Sequence, residues 1–180
     1  MGAPAPHARL VVSLLSGGEG PRLAALKRLA SELGPVVFYS EPMPFTRSSY
    51  YDKEMGPGLT RRLAAFGGLR PPGELAAVKR LCMGLEGELA RQGRRTVNLD
   101  PGLLGKDALV LASHKAGGHR LELAPGLYGE ATLFFRGGGY QPLPWTYPDY
   151  AGEELRGVLN LIRGRLLWSL KRRRAQGEQV

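Results

Sequence analysis

The sequence is short of several things, and each shortage removes a class of function. It has one cysteine, Cys82, in 180 residues. No disulfide can close within the chain, and no thiolate-rich metal site can be built. A lone thiol is consistent with a reducing compartment. There are three histidines: His7 sits at the N-terminus, and His114 and His119 are too few for a histidine-only metal site. No apolar run approaches the ~20 residues of a membrane span. The run from Leu10 to Leu15 is too short for a secretory leader. We therefore expect a soluble, cytoplasmic protein with no membrane partner. The Gly-rich stretch Ser16-Gly17-Gly18-Glu19-Gly20 carries neither the phosphate-loop pattern nor the dinucleotide fingerprint, so it reads as a connecting turn.

Acidic residues are missing from one region. Between Arg156 and Arg174 lie Arg163, Arg165, Lys171, Arg172 and Arg173 and no acid. These seven cations, ends included, account for all but two of the net charge of +9. The basicity of the protein belongs to one element, and an argument from charge must concern that element.

What is present is an ordinary globular balance, 43% hydrophobic and 23% charged. A chain of this length forms one domain and buries roughly two-thirds of its unfolded surface. Residues 1–8 read as a loose N-terminus, 9–174 as the domain and 175–180 as a frayed tail. Leu10–Leu15 reads as a buried strand. Leu23, Leu26, Ala30 and Leu33 have helical spacing, with Pro21 at the start and Gly34-Pro35 at the end. Val36–Ser40 reads as a strand that continues extended through Glu41–Phe45, because each proline turns its predecessor away from helix. The aromatic content of Ser48–Met55 favours a strand; Leu59–Phe66 is ambiguous. Leu75, Val78, Cys82, Leu85 and Leu89 form one helical stripe, with Lys79, Arg80, Glu86 and Arg91 off it and Gly93 as the cap.

Arg95–Leu99 then reads as a strand, Asp100-Pro101-Gly102 as a turn, and Leu109–Ser113 as a strand. Arg120–Leu123 and Leu127–Phe135 form a hairpin across Pro125-Gly126. Tyr140–Leu143 adds a short strand. From Glu153 a last helix buries Leu155, Val158, Leu159, Ile162, Leu166 and Leu170, leaving Leu161 and Trp168 off that face as a candidate homodimer seam. Together these predict an α+β fold: an antiparallel or mixed sheet with helices packed on it, ferredoxin-like in its first half, hairpin-rich in its second, with a C-terminal helix.

Three motifs occur together: Tyr50-Tyr51-Asp52-Lys53-Glu54-Met55-Gly56, Asn98-Leu99-Asp100-Pro101-Gly102 and Trp145-Thr146-Tyr147-Pro148-Asp149-Tyr150. In these the chain resembles an uncharacterised bacterial family, the domain of unknown function 4416, from Leu10 to about Leu170. The resemblance implies a cytoplasmic bacterial protein and no established activity.

The reactive-looking side chains concentrate in turns. Glu41, Glu54, Asp100, Glu130 and Asp149 lie near strand ends, where two of them could share a divalent cation such as Mg²⁺ or divide acid and base roles. Lys115-x3-His119-Arg120 could hold a phosphate or carboxylate, with His119 as a proton shuttle. The aromatics of 145–150 could wall a pocket or plug a core.

The first hypothesis is a pocket for an anionic small molecule, a nucleotide or phosphorylated metabolite. Glu54, Asp100, His119 and Glu130 are its candidate catalytic groups, and Tyr51, Asn98, Lys115, Arg120, Tyr128 and Thr132 its ligand-binding groups. The alternative is a nucleic-acid accessory protein binding RNA through Arg156, Arg163, Lys171, Arg172, Arg173 and Arg174. A third reading is a structural adaptor with no site, whose motifs only brace turns.

Overall fold

A computed structural model describes residues 7–178 of the chain. Residues 1–6 and 179–180, most of the expected loose N-terminus and the end of the expected tail, lie outside the described residues. Ala8 is already fastened, exchanging two backbone hydrogen bonds with Arg70.

Strands β1 (Arg9–Ser16), β2 (Val36–Tyr39), β4 (Thr60–Phe66) and β5 (Asn98–Leu104) alternate with helices α1 (Glu19–Leu33) and α3 (Leu75–Glu88). They lie side by side in the order β2-β4-β1-β5, every neighbour antiparallel. β4 is thus inserted between β1 and β2, and β1 between β4 and β5. These two interleaved crossovers make the split βαβ arrangement expected of a ferredoxin-like half. The sheet then continues through β6 (Ala108–Ser113), β8 (Leu127–Arg136) and β7 (Leu121–Ala124), with β9 (Gly139–Pro142) also on β8 and the two-residue β3 (Met43–Pro44) on β4. Tight turns join β5 to β6, β7 to β8 and β8 to β9, which makes those pairs antiparallel; β8 also pairs antiparallel with β6, leaving β7 at the edge.

Alternation divides the buried residues between two faces. Leu10, Val12, Leu14, Ala64 and Phe66 meet Ala25, Leu29, Val78, Cys82 and Leu85 of α1 and α3. Val11, Leu63, Ala65, Leu109 and Leu133 meet Leu155, Leu159 and Ile162 of α4 (Glu153–Ala175) on the other side. All eight residues of β1 are buried because both faces are covered. Each fully buried leucine contributes about 2 kcal/mol. No helix among the described residues is long and apolar enough to cross a membrane.

The structure corrects three local expectations and resolves one ambiguity. Ser48–Met55 is a turn followed by the single helical turn α2 (Asp52–Met55), not a strand. Its aromatics do not alternate with polar residues, and its side chains are held by distant partners. The ambiguous Leu59–Phe66 stretch is β4, an interior strand. Asp100-Pro101-Gly102 is not a turn but the middle of β5. β6 pairs with β5 only from Gly102 onward, so the strand has a free edge at Pro101, where proline is tolerated. Gly102 is required for another reason: a Cβ there would sit 2.7 Å from Leu111 Cδ2 and 3.0 Å from the Val110 carbonyl oxygen. Finally, α3 stops at Glu88, and Gly93 (φ 73°) serves instead the tight Arg91–Arg94 turn beyond it.

Candidate functional site

The late start of the β5–β6 ladder makes the site. The two strands pair over Gly102–Leu104 and Leu109–Leu111. Beyond that, β5 stays with β1 as far as Asn98, while β6 stays with β8 as far as Ser113. The strands part, and a cleft of about 370 Å³ opens between them. Asn98 and Asp100 face it from β5, and Leu111–Lys115 from the end of β6. Phe45–Tyr51 and Tyr147–Tyr150 close its sides, and Lys79 and Glu86 of α3 lie beneath. Its volume falls in the lower part of the range for small-molecule sites.

The floor is a chain of matched charges. Lys79, buried, donates from Nζ to Asp100 Oδ1 at 3.1 Å and to the Leu99 carbonyl at 3.2 Å. Asn98 Nδ2 donates to the other Asp100 oxygen at 2.7 Å. Arg95 donates to Asn98 Oδ1 at 2.8 Å and grips Glu54 through two nitrogens at 2.8 and 2.6 Å. Glu86 accepts the Leu99 N–H at 2.5 Å and has Arg95 at 3.6 Å. Burial would push the Asp100 carboxyl up, but Lys79, Arg61 and the Asn98 amide outweigh it and hold the pKa below the ordinary 3.8. For Glu86 burial wins, and its pKa is raised despite the Leu99 N–H and Lys79. Lys79 is buried too, but the carboxylates of Asp100 and Glu86 keep its pKa raised and the ammonium charged. Asp100 keeps 26% of its side chain exposed to the cleft.

At the Tyr150 side, Arg61 of β4 pairs with Asp149 and lies over the rings of Phe45 (5.2 Å) and Tyr150 (4.9 Å). Its Nε is buried without a hydrogen-bond partner. At the mouth, Lys115 Nζ donates to the Tyr50 hydroxyl at 2.9 Å and lies over the same ring. That bond lowers the Tyr50 pKa. His114, exposed beside it, has its pKa lowered by desolvation and by Lys79 and Lys115.

The structure therefore gathers Tyr51, Asn98, Asp100, Lys115 and Glu130 around one cleft, with Glu54 one hydrogen bond behind its wall. The other expected ligand groups are elsewhere. Tyr128, opposite Ser113 in the ladder, and the fully buried Thr132, hydrogen-bonded to Glu130, do not line the cleft. Arg120 and His119 do not line it either. They serve Glu130 from behind: Arg120 Nε is 2.7 Å and His119 Nε2 2.9 Å from one Glu130 oxygen. Arg120 also reaches the Tyr147 hydroxyl and the Lys115 carbonyl, and His119 stacks on Trp145 at 5.3 Å. The 145–150 stretch combines both roles weighed for it, walling the cleft with Tyr147 and Tyr150 while Thr146 braces β8 through the Thr132 carbonyl.

Sequence reasoning missed Arg47, Arg61, Lys79, Glu86 and Arg95. A signal existed for one pair: Lys79, Cys82 and Glu86 recur at i, i+3 and i+7, and so share a face with the core stripe instead of lying off it. Arg95 gave no signal; its role depends on residues 41 positions away.

The cations of α4 occupy different ground. Arg156 donates to the Tyr140 and Ala151 carbonyls, Arg163 to the Lys106 carbonyl and Arg165 to the Val37 carbonyl. Arg163 lies 3.4 Å over the Phe135 ring and Arg172 4.7 Å over Trp168; Arg173 pairs with Glu178. Leu161 and Trp168 stay 63% and 60% exposed. Among the described residues no group of three or more His, Cys, Asp or Glu is placed to hold a metal ion.

No curated protein and no solved structure matches the chain. One family model matches, over residues 6–166, and it covers all three motifs that line or support the cleft. The chain belongs to that family, the domain of unknown function DUF4416.

Proposed function

We propose that the cleft binds an anionic small molecule, a nucleotide or a phosphorylated metabolite, with Asp100 facing its polar body. One observation carries this reading. Every carboxylate lining the cleft has a cationic partner: Asp100 has Lys79, Asp149 has Arg61, Glu86 has Arg95, and Glu130 has Arg120. Two of the lining cations, Arg47 and Lys115, have no carboxylate partner among the described residues, and both are exposed. Arg95 is shared with Glu54, just behind the wall, so five carboxylates face six cations, and the excess lies at the exposed Arg47 and Lys115, which suits an entering phosphate or carboxylate.

Four tyrosines and Phe45 supply apolar wall for a ring or carbon skeleton. Asp100, held ionised and partly exposed, is the acceptor placed for a ligand hydroxyl or amine. Glu54 and His119 do not line the cleft and Glu130 is fully buried, so of the four candidate catalytic groups Asp100 alone both lines the cleft and keeps exposed surface. Mg²⁺, if used, would arrive on the ligand's phosphate, since the carboxylates here already have partners. The RNA reading has less support, because most α4 cations are spent on carbonyls and aromatic rings of their own domain.

A thermal-shift screen of inorganic phosphate, AMP and ribose 5-phosphate, with and without Mg²⁺, tests the proposal. Stabilisation by at least one, growing with concentration, is expected. A flat response to all three at millimolar concentration refutes it.

A further inference from the structure

Between β3 and β4 the chain leaves the body of the protein and returns to it. Phe45 N–H donates to the Leu59 carbonyl at 2.9 Å, which ties the two ends. No residue from 46 to 58 is buried. Yet the excursion is internally ordered: Tyr50 meets Tyr51 edge to face at 4.9 Å, Tyr51 meets Phe45 at 5.9 Å, and Met55 N–H closes the helical turn on the Tyr51 carbonyl. Its return limb contains Gly56 and Gly58, both at positive φ with open space around them. A compact loop with joined ends, its own packing and no buried anchor has the build of a unit that moves as one body.

Two hydrogen-bonded side-chain contacts hold it down over the cleft, and Arg95 also lies 5.5 Å over the Tyr51 ring. One is the exposed bond from Lys115 to Tyr50. The other is the two-nitrogen grip of Arg95 on Glu54, reinforced by the Arg95 backbone N–H at 3.2 Å. The same guanidinium holds the Asn98 amide, which in turn holds Asp100. The loop and the cleft floor therefore share one arginine.

We propose that residues 46–58 are a lid on the cleft, hinged at Phe45–Leu59 and latched by Glu54 on Arg95, and that latching also orients Asp100 through Asn98. Glu54, Arg95 and Asn98 are positioning residues. The identity of the ligand rests on the anion reading above; the motion of the lid does not.

The test uses the full chain, wild type against Glu54→Gln, with two readouts. Hydrogen exchange by mass spectrometry should show residues 46–57 exchanging about tenfold faster in the variant, the loss of a charge-assisted fork, with β1 and β5 unchanged. The Asp100 carboxyl, followed by NMR, should titrate at higher pH in the variant, because an unsteadied Asn98 donates less to the ionised form. Tyr50→Phe, at a residue 63% exposed and so harmless to folding, should loosen only the tip, by about threefold. Unchanged exchange in Glu54→Gln overturns the lid. So does faster exchange running equally through β1 and β5. An unmoved Asp100 titration overturns the coupling. Adding inorganic phosphate, AMP or ribose 5-phosphate to the wild type should slow exchange at 46–57 with at least one of the three. A lid that responds to Glu54→Gln but to none of these stands, and the anion reading then falls by itself.

Discussion

The protein has two concentrations of charge, and they are built in opposite ways. On α4 seven cations follow one another along the chain with no acid among them. In the cleft, charges from β4, α3, β5 and the loops after β3, β6 and β9 meet only in the folded state. The α4 arginines end largely on backbone carbonyls and aromatic rings: Arg156 on Tyr140, Arg163 on Lys106 and Phe135, Arg165 on Val37. They staple a long helix across the sheet. The cleft cations end on carboxylates and amides, and two are left over. A run of one charge sign can therefore be a fastening device. A matched cluster with a small local surplus has the properties of a site.

The sharpest way to break this comparison is at Lys79. Replacing it with methionine keeps the apolar stem but leaves Asp100 without its ammonium partner. Removing one member of a buried pair costs about 3 kcal/mol, measurable by urea denaturation. A loss below about 1 kcal/mol would mean that the cleft floor is no more integrated than the α4 surface.

Asp100→Asn should cost about 2 kcal/mol near neutrality, since Lys79 loses its counter-charge. The pH dependence has a definite sign. The folded-state pKa of Asp100 is depressed below 3.8, so its contribution is full above that value and is lost as pH falls through the depressed one. Stability curves of wild type and Asp100→Asn, separated at pH 7, should converge on acidification below pH 3.8. Curves that stay parallel would show that Asp100 is not the ionised partner of Lys79.

Lys115→Ala sharpens the contrast from the ligand side. It should weaken phosphate-ester binding about tenfold, roughly 1.4 kcal/mol, without moving the melting temperature, because Lys115 is exposed and its ammonium pairs among the described residues with Tyr50 alone. On α4 the reverse holds. Arg163→Ala should cost about 1 kcal/mol of stability through Phe135 and the Lys106 carbonyl and leave ligand affinity unchanged.

The α+β class and the late hairpins could be read from periodicity, because the core stripes of β1, α3 and α4 are long and uninterrupted; β4, the strand inserted by the split crossover, could not be told from helix by its pattern. What could not be read were the places where tertiary partners override local preference. Asp100-Pro101-Gly102 carries turn residues but is a strand, because β1 pairs with it along its length and β6 leaves its edge free at the proline. Tyr50–Met55 carries strand residues but forms a turn, because Glu54 and Tyr50 are held by Arg95 and Lys115 from other parts of the chain. For the site, the motif residues Tyr51, Asn98 and Asp100 could be picked out from local sequence. Arg61 and Arg95 could not, since each resembles a solvated surface charge until the sheet brings its acid alongside; Lys79 had only its place on the buried face of α3 to mark it. Arg120 and His119 mislead for the complementary reason. They sit in a basic loop next to the site, but both are taken up by Glu130 and neither lines the cleft.

The most direct test of the cleft as an anion site is isothermal titration of AMP and inorganic phosphate into three proteins: wild type, Lys115→Ala, and a variant with Lys171, Arg172, Arg173 and Arg174 all changed to serine. Saturable one-to-one binding to the wild type, weakened about tenfold in Lys115→Ala and unchanged in the serine variant, is the expected result. Binding that survives in Lys115→Ala and disappears with the α4 cations, or no binding to any of the three, would contradict it.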